Sequence, residues 1–222
     1  MSGGAEQTLR DGLRSLGIDL ADHQVAQLLA YLAMIGKWTQ VYNLTAVRDP
    51  VEMMTHHLLD SLAAIPPLDR QLKQMGLEGG ARLLDVGAGA GLPGAVIAIC
   101  CPTVAVTCVD AVGKKAAFIK QAALELKLGN LAGLHKRVEQ VTEPHDVICS
   151  RAFASLGDFT RWSSAALAPD GVWMAMKGKH PTSEIGALDK NVEVFHVEQL
   201  TVPGLDAERC IVWMRPAKTL PI

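Results

Sequence analysis

The sequence predicts an α/β protein in which a seven-stranded, mostly parallel sheet is covered by helices on both faces. From residue 81 onward, short apolar segments alternate with amphipathic ones, as in sheets whose parallel strands are joined by helices. The first of these strands ends in a run of glycines, which is typical of nucleotide-binding α/β proteins. Residues 1–75 have helical character, so we expect a helical extension there and the main domain over residues 76–222.

The strands are predicted from short runs of apolar and β-branched residues bounded by turn residues. They cover residues 81–86, 104–109, 132–137, 146–150, 171–177, 192–200 and 209–215. The intervening helices cover residues 92–101, 114–128, 155–168 and 182–189. A short loop at Pro203-Gly204 separates the last two strands, so we expect a hairpin that makes the last strand antiparallel.

The helical extension is expected to contain two long amphipathic helices. The first begins at Asp22, a suitable N-cap, and continues to Tyr42 with one apolar face. The second begins after Asp49-Pro50 and ends at Pro66-Pro67. Both apolar faces are expected to pack against the main domain.

Composition excludes several classes of protein. The 222 residues are 49% apolar and 20% charged, with no basic segment leading into an apolar one at the start, so we expect a cytoplasmic protein. The five cysteines have no C-x-x-C spacing, and we interpret them as reduced core residues. The net charge of −2 argues against a broadly basic nucleic-acid-binding surface, so any RNA contact requires a local basic patch or a partner.

The glycine-rich turn directly follows the strand that contains Asp85. Its glycines, among them Gly87, adopt conformations forbidden to other residues and let the main chain approach a ligand closely. Gly89, Gly91 and Gly94 match the G-x-G-x-x-G dinucleotide pattern, which alone is weak evidence. A carboxylate at Asp85 is unfavourable beside a pyrophosphate but favourable beside the positive charges of S-adenosylmethionine. The turn therefore favours the methyl donor over NAD.

A second acidic residue, Asp110, ends the next predicted strand. In a doubly wound sheet this position faces the ribose of a nucleotide held at the first turn, and a carboxylate there accepts hydrogen bonds from both hydroxyls. Both cofactor classes need such a residue, so Asp110 predicts adenosine binding without choosing between them. The antiparallel last strand favours the class I methyltransferase architecture over that of a nicotinamide dehydrogenase.

Several short motifs occur along the chain in a specific order. Asn-Leu-Thr, Leu-Pro-Gly after the glycines and Ser-Arg-Ala-Phe are not general methyltransferase features. The set comprises Lys37-Trp38, Tyr42-Asn43-Leu44-Thr45, Val47-Arg48-Asp49-Pro50, His57-Leu58-Leu59-Asp60-Ser61, Asp85-Val86-Gly87, Gly91-Leu92-Pro93-Gly94, Gly113-Lys114-Lys115, Val138-Glu139 and Ser150-Arg151-Ala152-Phe153-Ala154-Ser155-Leu156. With these motifs the chain resembles the RsmG family, also called glucose-inhibited division protein B, from about Leu9 to Val212.

This resemblance implies methylation of N7 of one guanine in 16S ribosomal RNA, near the decoding region, with S-adenosylmethionine as the donor. It also implies cofactor contacts at Gly87, Leu92, Val138, Glu139 and Arg151. The chain departs from the family pattern at two positions. Ala90 stands where many relatives have proline, which should only loosen the loop, and His56 stands where arginine is frequent, which leaves the role of that position open.

The expected chemistry agrees with the absence of an evident catalytic set. Guanine N7 attacks with an in-plane lone pair that carries no proton, so the enzyme needs alignment and exclusion of water and no general base. Arg151 follows the fourth strand, where the substrate base should enter, and is expected to brace the cofactor carboxylate, hold a phosphate or stack on the guanine. Phe153 is a second candidate for stacking.

The RNA-binding residues are expected at the carboxyl edge of the sheet and on the helical extension. The candidates are Asn43, Lys114, Lys115, Phe153, Lys177 and Lys179. Asn43-Leu44-Thr45 forms either a helix-ending turn over the cofactor pocket or only a polar turn. His57 and Asp60 lie three residues apart, so on an α-helix they would bond each other or a backbone carbonyl. The sequence shows no spacing typical of metal ligands.

The partner expected from the resemblance is the small ribosomal subunit or its 16S RNA, with the protein acting as a monomer. Three alternatives remain open from the residues alone. They are a small-molecule methyltransferase of the same fold, an NAD-linked oxidoreductase, which Asp85 disfavours, and a ribosome-assembly factor with a vestigial cofactor pocket.

Overall fold

One seven-stranded sheet forms the centre of the protein in a computed structural model that describes residues 2–217. Met1 and residues 218–222, the end of the predicted main domain, lie outside the described part. The strands are β1 (Ala81–Val86), β2 (Val104–Asp110), β3 (Leu131–His135), β4 (His145–Arg151), β5 (Leu167–Lys177), β6 (Val192–Leu200) and β7 (Arg209–Pro216). Their order in the sheet is β3-β2-β1-β4-β5-β7-β6. Strand β7 runs antiparallel to both neighbours, so the predicted mostly parallel sheet with an antiparallel last strand is confirmed.

Helices cover both faces of the sheet and make up most of the region before β1. They are α1 (Ser2–Leu16), α2 (Asp22–Tyr42), α3 (Pro50–Met53), α4 (Asp60–Leu62), α5 (Ile65–Gln74), α6 (Gly94–Cys100), α7 (Gly113–Glu125), α8 (Leu156–Ser163) and α9 (Thr182–Gly186). A π-helical segment, Met54–Leu59, joins α3 to α4, and short 3₁₀ turns lie at Val138–Gln140 and Ser164–Ala166.

Burial on both faces explains why the central strands are apolar almost throughout. Leu83 and Leu84 are both fully buried although neighbouring side chains of a strand point to opposite faces. Leu83 belongs to the larger apolar core, which includes residues of α6 and the extension, whereas Leu84 belongs to a second core with Phe159 of α8. The sheet is therefore the middle layer of a three-layer structure.

The helical extension packs on the main domain through α2. Val25, Leu28, Tyr31 and Ile35 are buried at helical spacing, and α2 contacts α6 and α7. The apolar core runs without interruption from Leu9 into the sheet. The predicted packing of the first apolar stripe is thus observed, while the division of the chain at residue 75 stays a prediction.

Several predicted helix boundaries were wrong: the helix predicted over residues 155–168 ends at Ser163, and the one predicted over 182–189 ends at Gly186. Two differences in the extension have clear physical reasons. Pro66-Pro67 do not end a helix but occupy the first turn of α5, where proline is tolerated because the first N–H groups of a helix have no intrahelical partner. The N-cap of α2 is Ala21, whose N–H donates to Oε1 of Gln24 at 3.1 Å, and Asp22 is the first helical residue. At this position the negative charge of Asp22 still interacts favourably with the positive end of the helix dipole.

Candidate active site

The carboxyl ends of β1, β2 and β4 meet at one edge of the sheet, and the glycine-rich turn leaves β1 at this edge. Gly87, Gly89 and Gly91 have φ angles of 66°, 59° and 80°, in the left-handed region that favours glycine. A Cβ atom at Gly87 would lie 2.2 Å from Cδ2 of Phe153. The turn is therefore built for close approach of the main chain, as predicted.

Asp110 lies where the sequence predicted it, at the carboxyl end of β2 beside the turn. Its Oδ2 accepts a hydrogen bond from the Gly89 N–H at 3.0 Å, and its Oδ1 accepts one from the Val112 N–H at 2.8 Å. The Lys115 Nζ is 3.9 Å from Oδ2. These contacts fix the carboxylate, and each oxygen keeps a lone pair for a ribose hydroxyl.

A cavity of about 150 Å³ lies between the first turn and the loop after β3. It brings together four of the predicted cofactor residues, Gly87, Asp110, Val138 and Glu139. The Glu139 side chain is partly exposed, and its pKa is lowered by its own backbone N–H and by Arg137. We call this space the nucleoside cavity, since it lies beside a carboxylate that can accept from two hydroxyls.

Phe153 lines the nucleoside cavity, although its predicted role was to stack on the RNA substrate. Its ring packs edge-on against Trp162, with ring centres 5.9 Å apart. Because the ring also covers Gly87, it lies on the side of the cofactor turn. Whether it also reaches an RNA base stays a prediction.

Asp85 lies beneath the turn and is fully buried. Its Oδ2 accepts from the Gly94 N–H at 2.8 Å, while Oδ1 has no hydrogen-bond partner among the described residues. Burial raises the pKa of Asp85 to about 7, against the opposing effects of the Gly94 N–H and Arg151. Asp85 therefore anchors the start of α6, and its direct contact with a cofactor stays a prediction.

Tyr31 of α2 holds the turn from the side of the helical extension. Its hydroxyl donates to the carbonyl oxygens of Ala90 and Gly91, the latter at 3.1 Å. A Cβ atom at Gly91 would lie 3.0 Å from this hydroxyl. Leu92 is buried in the apolar core and does not line the nucleoside cavity. Sequence reasoning missed Tyr31, because a tyrosine within an apolar helical stripe resembles an ordinary core residue.

A second cavity, of about 400 Å³, lies at the ends of β4, β5 and β7 and is called here the substrate cavity. Arg151 lines it and donates from Nη1 to the His56 carbonyl at 3.0 Å and to Oδ2 of Asp60 at 2.8 Å. Arg209 of β7 donates from Nε to Oδ1 of Asp60 at 2.8 Å. Sequence reasoning missed both the ion pair and Arg209, for which no motif gave a signal.

Of the two alternatives for His57 and Asp60, a bond between the two side chains is absent from the described residues. His57 Nε2 instead lies 2.8 Å from Oγ1 of Thr45, and its Nδ1 has no partner among residues 2–217. The physical reason is the π-helical segment Met54–Leu59, whose wider turn removes the α-helical alignment of residues three apart. Burial, followed by the Arg151 charge, lowers the pKa of His57 to about 4, so this ring is neutral at pH 7.

Asn43 ends α2 in the left-handed conformation, with φ of 51°. Its N–H donates to the Thr39 carbonyl at 3.1 Å, and its Oδ1 accepts from Arg48 Nη2 at 2.6 Å. The segment Asn43-Leu44-Thr45 does end α2, whereas a position over the cofactor pocket stays a prediction. Through Thr45 it contacts His57 at the substrate cavity, and it does not line the nucleoside cavity.

The predicted RNA-binding lysines have different surroundings. Lys114 and Lys179 are exposed, as RNA contacts require. Lys177 is half-buried, and its Nζ donates to the Ala154 carbonyl at 3.0 Å and to both carboxylate oxygens of Glu184 at 2.9 and 3.1 Å. Lys177 therefore orders the loop after β4 and has a partner already.

Within residues 2–217 no three His, Cys, Asp or Glu side chains come together as metal ligands would. None of the helices in this part combines the length and apolarity needed to cross a bilayer.

The glycine turn, the acidic end of β2 and the antiparallel β7 together define a class I S-adenosylmethionine-dependent methyltransferase. Solved structures agree on this fold. TrmN from Thermus thermophilus matches with a TM-score of 0.53 at 19% identity, over 74% of this chain and 53% of that chain. A SAM-dependent methyltransferase from Aquifex aeolicus gives 0.52 at 18% identity, over 66% of this chain and 88% of that chain.

Sequence comparison identifies the family. The family model described as "GidB: rRNA small subunit methyltransferase G" matches residues 24–212, so the chain belongs to this family. A protein named ribosomal RNA small subunit methyltransferase G from Polaromonas naphthalenivorans is 73% identical over 209 residues, covering 94% of this chain and 95% of that protein. One of the same name from Polaromonas sp. strain JS666 is 74% identical over 212 residues, covering 96% and 94%. The resemblance drawn from the motifs is confirmed.

Proposed function

We propose that this protein transfers a methyl group from S-adenosylmethionine to N7 of one guanine in the 16S RNA of the small ribosomal subunit. The observation that carries the proposal is the match of a ribosomal RNA methyltransferase family to residues 24–212, which include the nucleoside cavity and its carboxylate. Family membership also disfavours an NAD-linked oxidoreductase. The position of the guanine in the RNA follows from the family resemblance.

The residues present fit S-adenosylmethionine. Asp110 offers two carboxylate oxygens to a ribose, and Val138 and Glu139 border the slot for the adenine. The unpartnered Oδ1 of Asp85 is buried beneath the turn, where an ammonium group or an ordered water would satisfy it. When bound, the cofactor supplies an electrophilic methyl group on a sulfonium.

The chain's own groups have to align the guanine and exclude water, because N7 loses no proton. Among residues 2–217, the one carboxylate that lines the substrate cavity is that of Asp60, which already accepts from Arg151 and Arg209. His57 is neutral at pH 7 and bonded to Thr45. The site is thus arranged for positioning, and Arg151, which lies between the cavity and the helical extension, is the residue we assign to it.

The RNA surface is proposed to combine this edge of the sheet with the extension. Its candidate residues are Asn43, Lys114, Lys115, Phe153, Lys177 and Lys179. The net charge of −2 requires that the attraction to phosphates be local. The monomeric state implied by the resemblance is part of this proposal, and the ribosomal substrate places the protein's action in the cytoplasm.

The test is to incubate the purified protein with methyl-labelled S-adenosylmethionine and, separately, with unmethylated 16S RNA and small subunits. Borohydride reduction followed by aniline cleavage then maps any N7-methylguanine. Label at one guanine is the expected result. Donor binding without label in either substrate would refute the proposal and favour a small-molecule methyltransferase or an assembly factor with a vestigial pocket.

A further inference from the structure

Asp60 joins two arginines that come from distant parts of the chain. Its Oδ2 lies 2.8 Å from Arg151 Nη1 of β4, and its Oδ1 lies 2.8 Å from Arg209 Nε of β7. The Asp60 side chain is only 5% exposed, whereas those of Arg151 and Arg209 are 18% and 23% exposed. A buried carboxylate thus holds two guanidinium groups that still reach the surface of the substrate cavity.

The two guanidinium groups keep unused donors. Within residues 2–217, hydrogen bonds reach only Nη1 of Arg151, and only Nε and Nη1 of Arg209, which also donates to the Glu208 carbonyl at 2.9 Å. Nε and Nη2 of Arg151 and Nη2 of Arg209 remain available. Donors in this planar arrangement match the oxygens of a phosphate.

The charges around the cavity favour an anion. Its wall contains Arg151, Arg209 and Lys177 against the single carboxylate of Asp60. Glu184 neutralises Lys177 from outside the wall, so one positive charge is left over. His57, which also lines the wall, is neutral at pH 7, and the His56 carbonyl accepts a hydrogen bond from Arg151.

We propose that Asp60 is a positioning residue for RNA: it aligns the guanidinium groups of Arg151 and Arg209 so that their remaining donors bind a phosphate of the substrate. The inference rests on the proposed function and deepens it. Without Asp60, two like charges would face each other across the cavity wall and separate. Since Asp60 belongs to α4, the same contact sets the helical extension against β4 and β7.

The main test is Asp60→Asn, measured by methyl transfer to small subunits at several salt concentrations. An amide accepts hydrogen bonds only through its oxygen, so it cannot hold both arginines. We expect the KM for RNA to rise about tenfold and its salt dependence to become shallower by about one phosphate contact. Simple removal of a negative charge near RNA would have the opposite sign and lower the KM.

Two further variants make the result specific. Asp60→Glu keeps the charge and should recover part of the lost affinity for RNA. Glu193→Gln is the matched control, because Glu193 also accepts from an arginine of β7, Arg215, at 2.8 and 3.1 Å, but away from the substrate cavity. This control should leave the KM unchanged.

If Asp60→Asn does not fold, the Arg209→Gln variant tests the proposal instead, because it leaves the ion pair of Asp60 with Arg151 in place. It should also raise the KM for RNA. A KM equal to that of the Glu193→Gln control would overturn the proposal.

The two arginines could also bind the carboxylate of the cofactor instead of an RNA phosphate. Titration calorimetry with S-adenosylmethionine distinguishes these two anions. We expect the donor Kd of Asp60→Asn to stay within twofold of wild type. A higher Kd for the donor with an unchanged KM for RNA would mean that the arginine pair binds the cofactor carboxylate. That result would overturn the assignment to an RNA phosphate. If the wild-type protein methylates no RNA, the proposed function itself is refuted. If the wild type is active and Asp60→Asn has the same KM for RNA, only this inference is refuted.

Discussion

The two cavities of the active site are held together in different ways. Around the nucleoside cavity, carboxylates bind backbone N–H groups close in sequence: Asp85 reaches Gly94, nine residues away, and Asp110 reaches Gly89, 21 residues away. Around the substrate cavity, side chains bind side chains: Asp60 reaches Arg151, 91 residues away, and Arg209, 149 residues away. The first cavity therefore depends on the local path of the main chain, and the second on how the helical extension docks.

This difference predicts that changes around the nucleoside cavity act on folding and donor binding together. Changes around the substrate cavity should act on RNA and leave donor binding intact.

The largest effect on the free energy of unfolding is expected from the protonation of Asp85. Its pKa rises from 3.8 to about 7 on folding, so the native state binds the proton more tightly than the unfolded chain. The stability from this group is fully present below pH 4 and is lost as the pH rises through about 7. Because one pKa unit corresponds to about 1.4 kcal/mol, the loss amounts to as much as about 4 kcal/mol.

The measurement is denaturant unfolding of wild type and Asp85→Asn between pH 4.5 and 8, without donor. The free energy of unfolding of wild type minus that of the variant should fall with pH and level off above about pH 7. A difference that is flat over this range would show that Asp85 is ionised throughout and that its surroundings hold a counter-charge.

The next largest effect is expected for Gly94→Ala. The added Cβ would lie 2.4 Å from Cys108 Sγ and 2.8 Å from Asp85 Oδ2, and the Gly94 N–H bond to Asp85 prevents the main chain from moving away. Overpacking of this kind costs roughly 1–3 kcal/mol. Gly157→Ala is the control, because outside its chain neighbours and its own helical backbone no described heavy atom lies within 4 Å of its Cβ position in α8. Equal midpoints of urea unfolding for both variants would contradict the close packing of α6 on β1.

A change in donor affinity of about tenfold, or about 1.4 kcal/mol, is expected for Asp110→Ala. The variant loses the acceptors for the ribose hydroxyls, and titration calorimetry reports the donor Kd directly. Asp170→Ala removes an exposed carboxylate near the opposite end of β5 and serves as the control. Unchanged donor binding by a folded Asp110→Ala protein would reject the ribose assignment.

The residues around the nucleoside cavity could be predicted from the sequence because each of its parts has a local sequence pattern. The strand, the glycines and the acid at the end of β2 occupy fixed spacings that the backbone dictates. For Asp85 the sequence showed an acid at the turn but could not show that the side chain is fully buried beneath it.

The residues around the substrate cavity could be predicted only in part, because their contacts depend on how the helical extension docks on the sheet. The position of Arg151 at the end of β4 follows from the strand pattern, but its partner Asp60 belongs to a helix whose π-helical segment shifts every later side chain around the axis. Arg209 had no motif at all. Such contacts follow from three-dimensional packing across 149 residues and not from spacing.

The smallest effect is expected where the two halves meet, at Tyr31. Its hydroxyl links α2 of the extension to the carbonyl oxygens of Ala90 and Gly91 in the cofactor turn. Tyr31→Phe keeps the buried ring and removes only these bonds, which should cost about 1 kcal/mol of stability. The Gly91 oxygen still accepts from the Ala95 N–H at 2.7 Å, so the Ala90 oxygen bears most of the loss.

If α2 holds the turn in shape, the donor Kd of Tyr31→Phe should rise severalfold, while the KM for RNA stays the same. Tyr42→Phe, at the exposed end of the same helix, is the matched control and should change neither. A rise in the KM for RNA with an unchanged donor Kd would be the opposite outcome. It would mean that the extension serves only the substrate, and that the two cavities are more independent than the contact of Tyr31 with the turn implies.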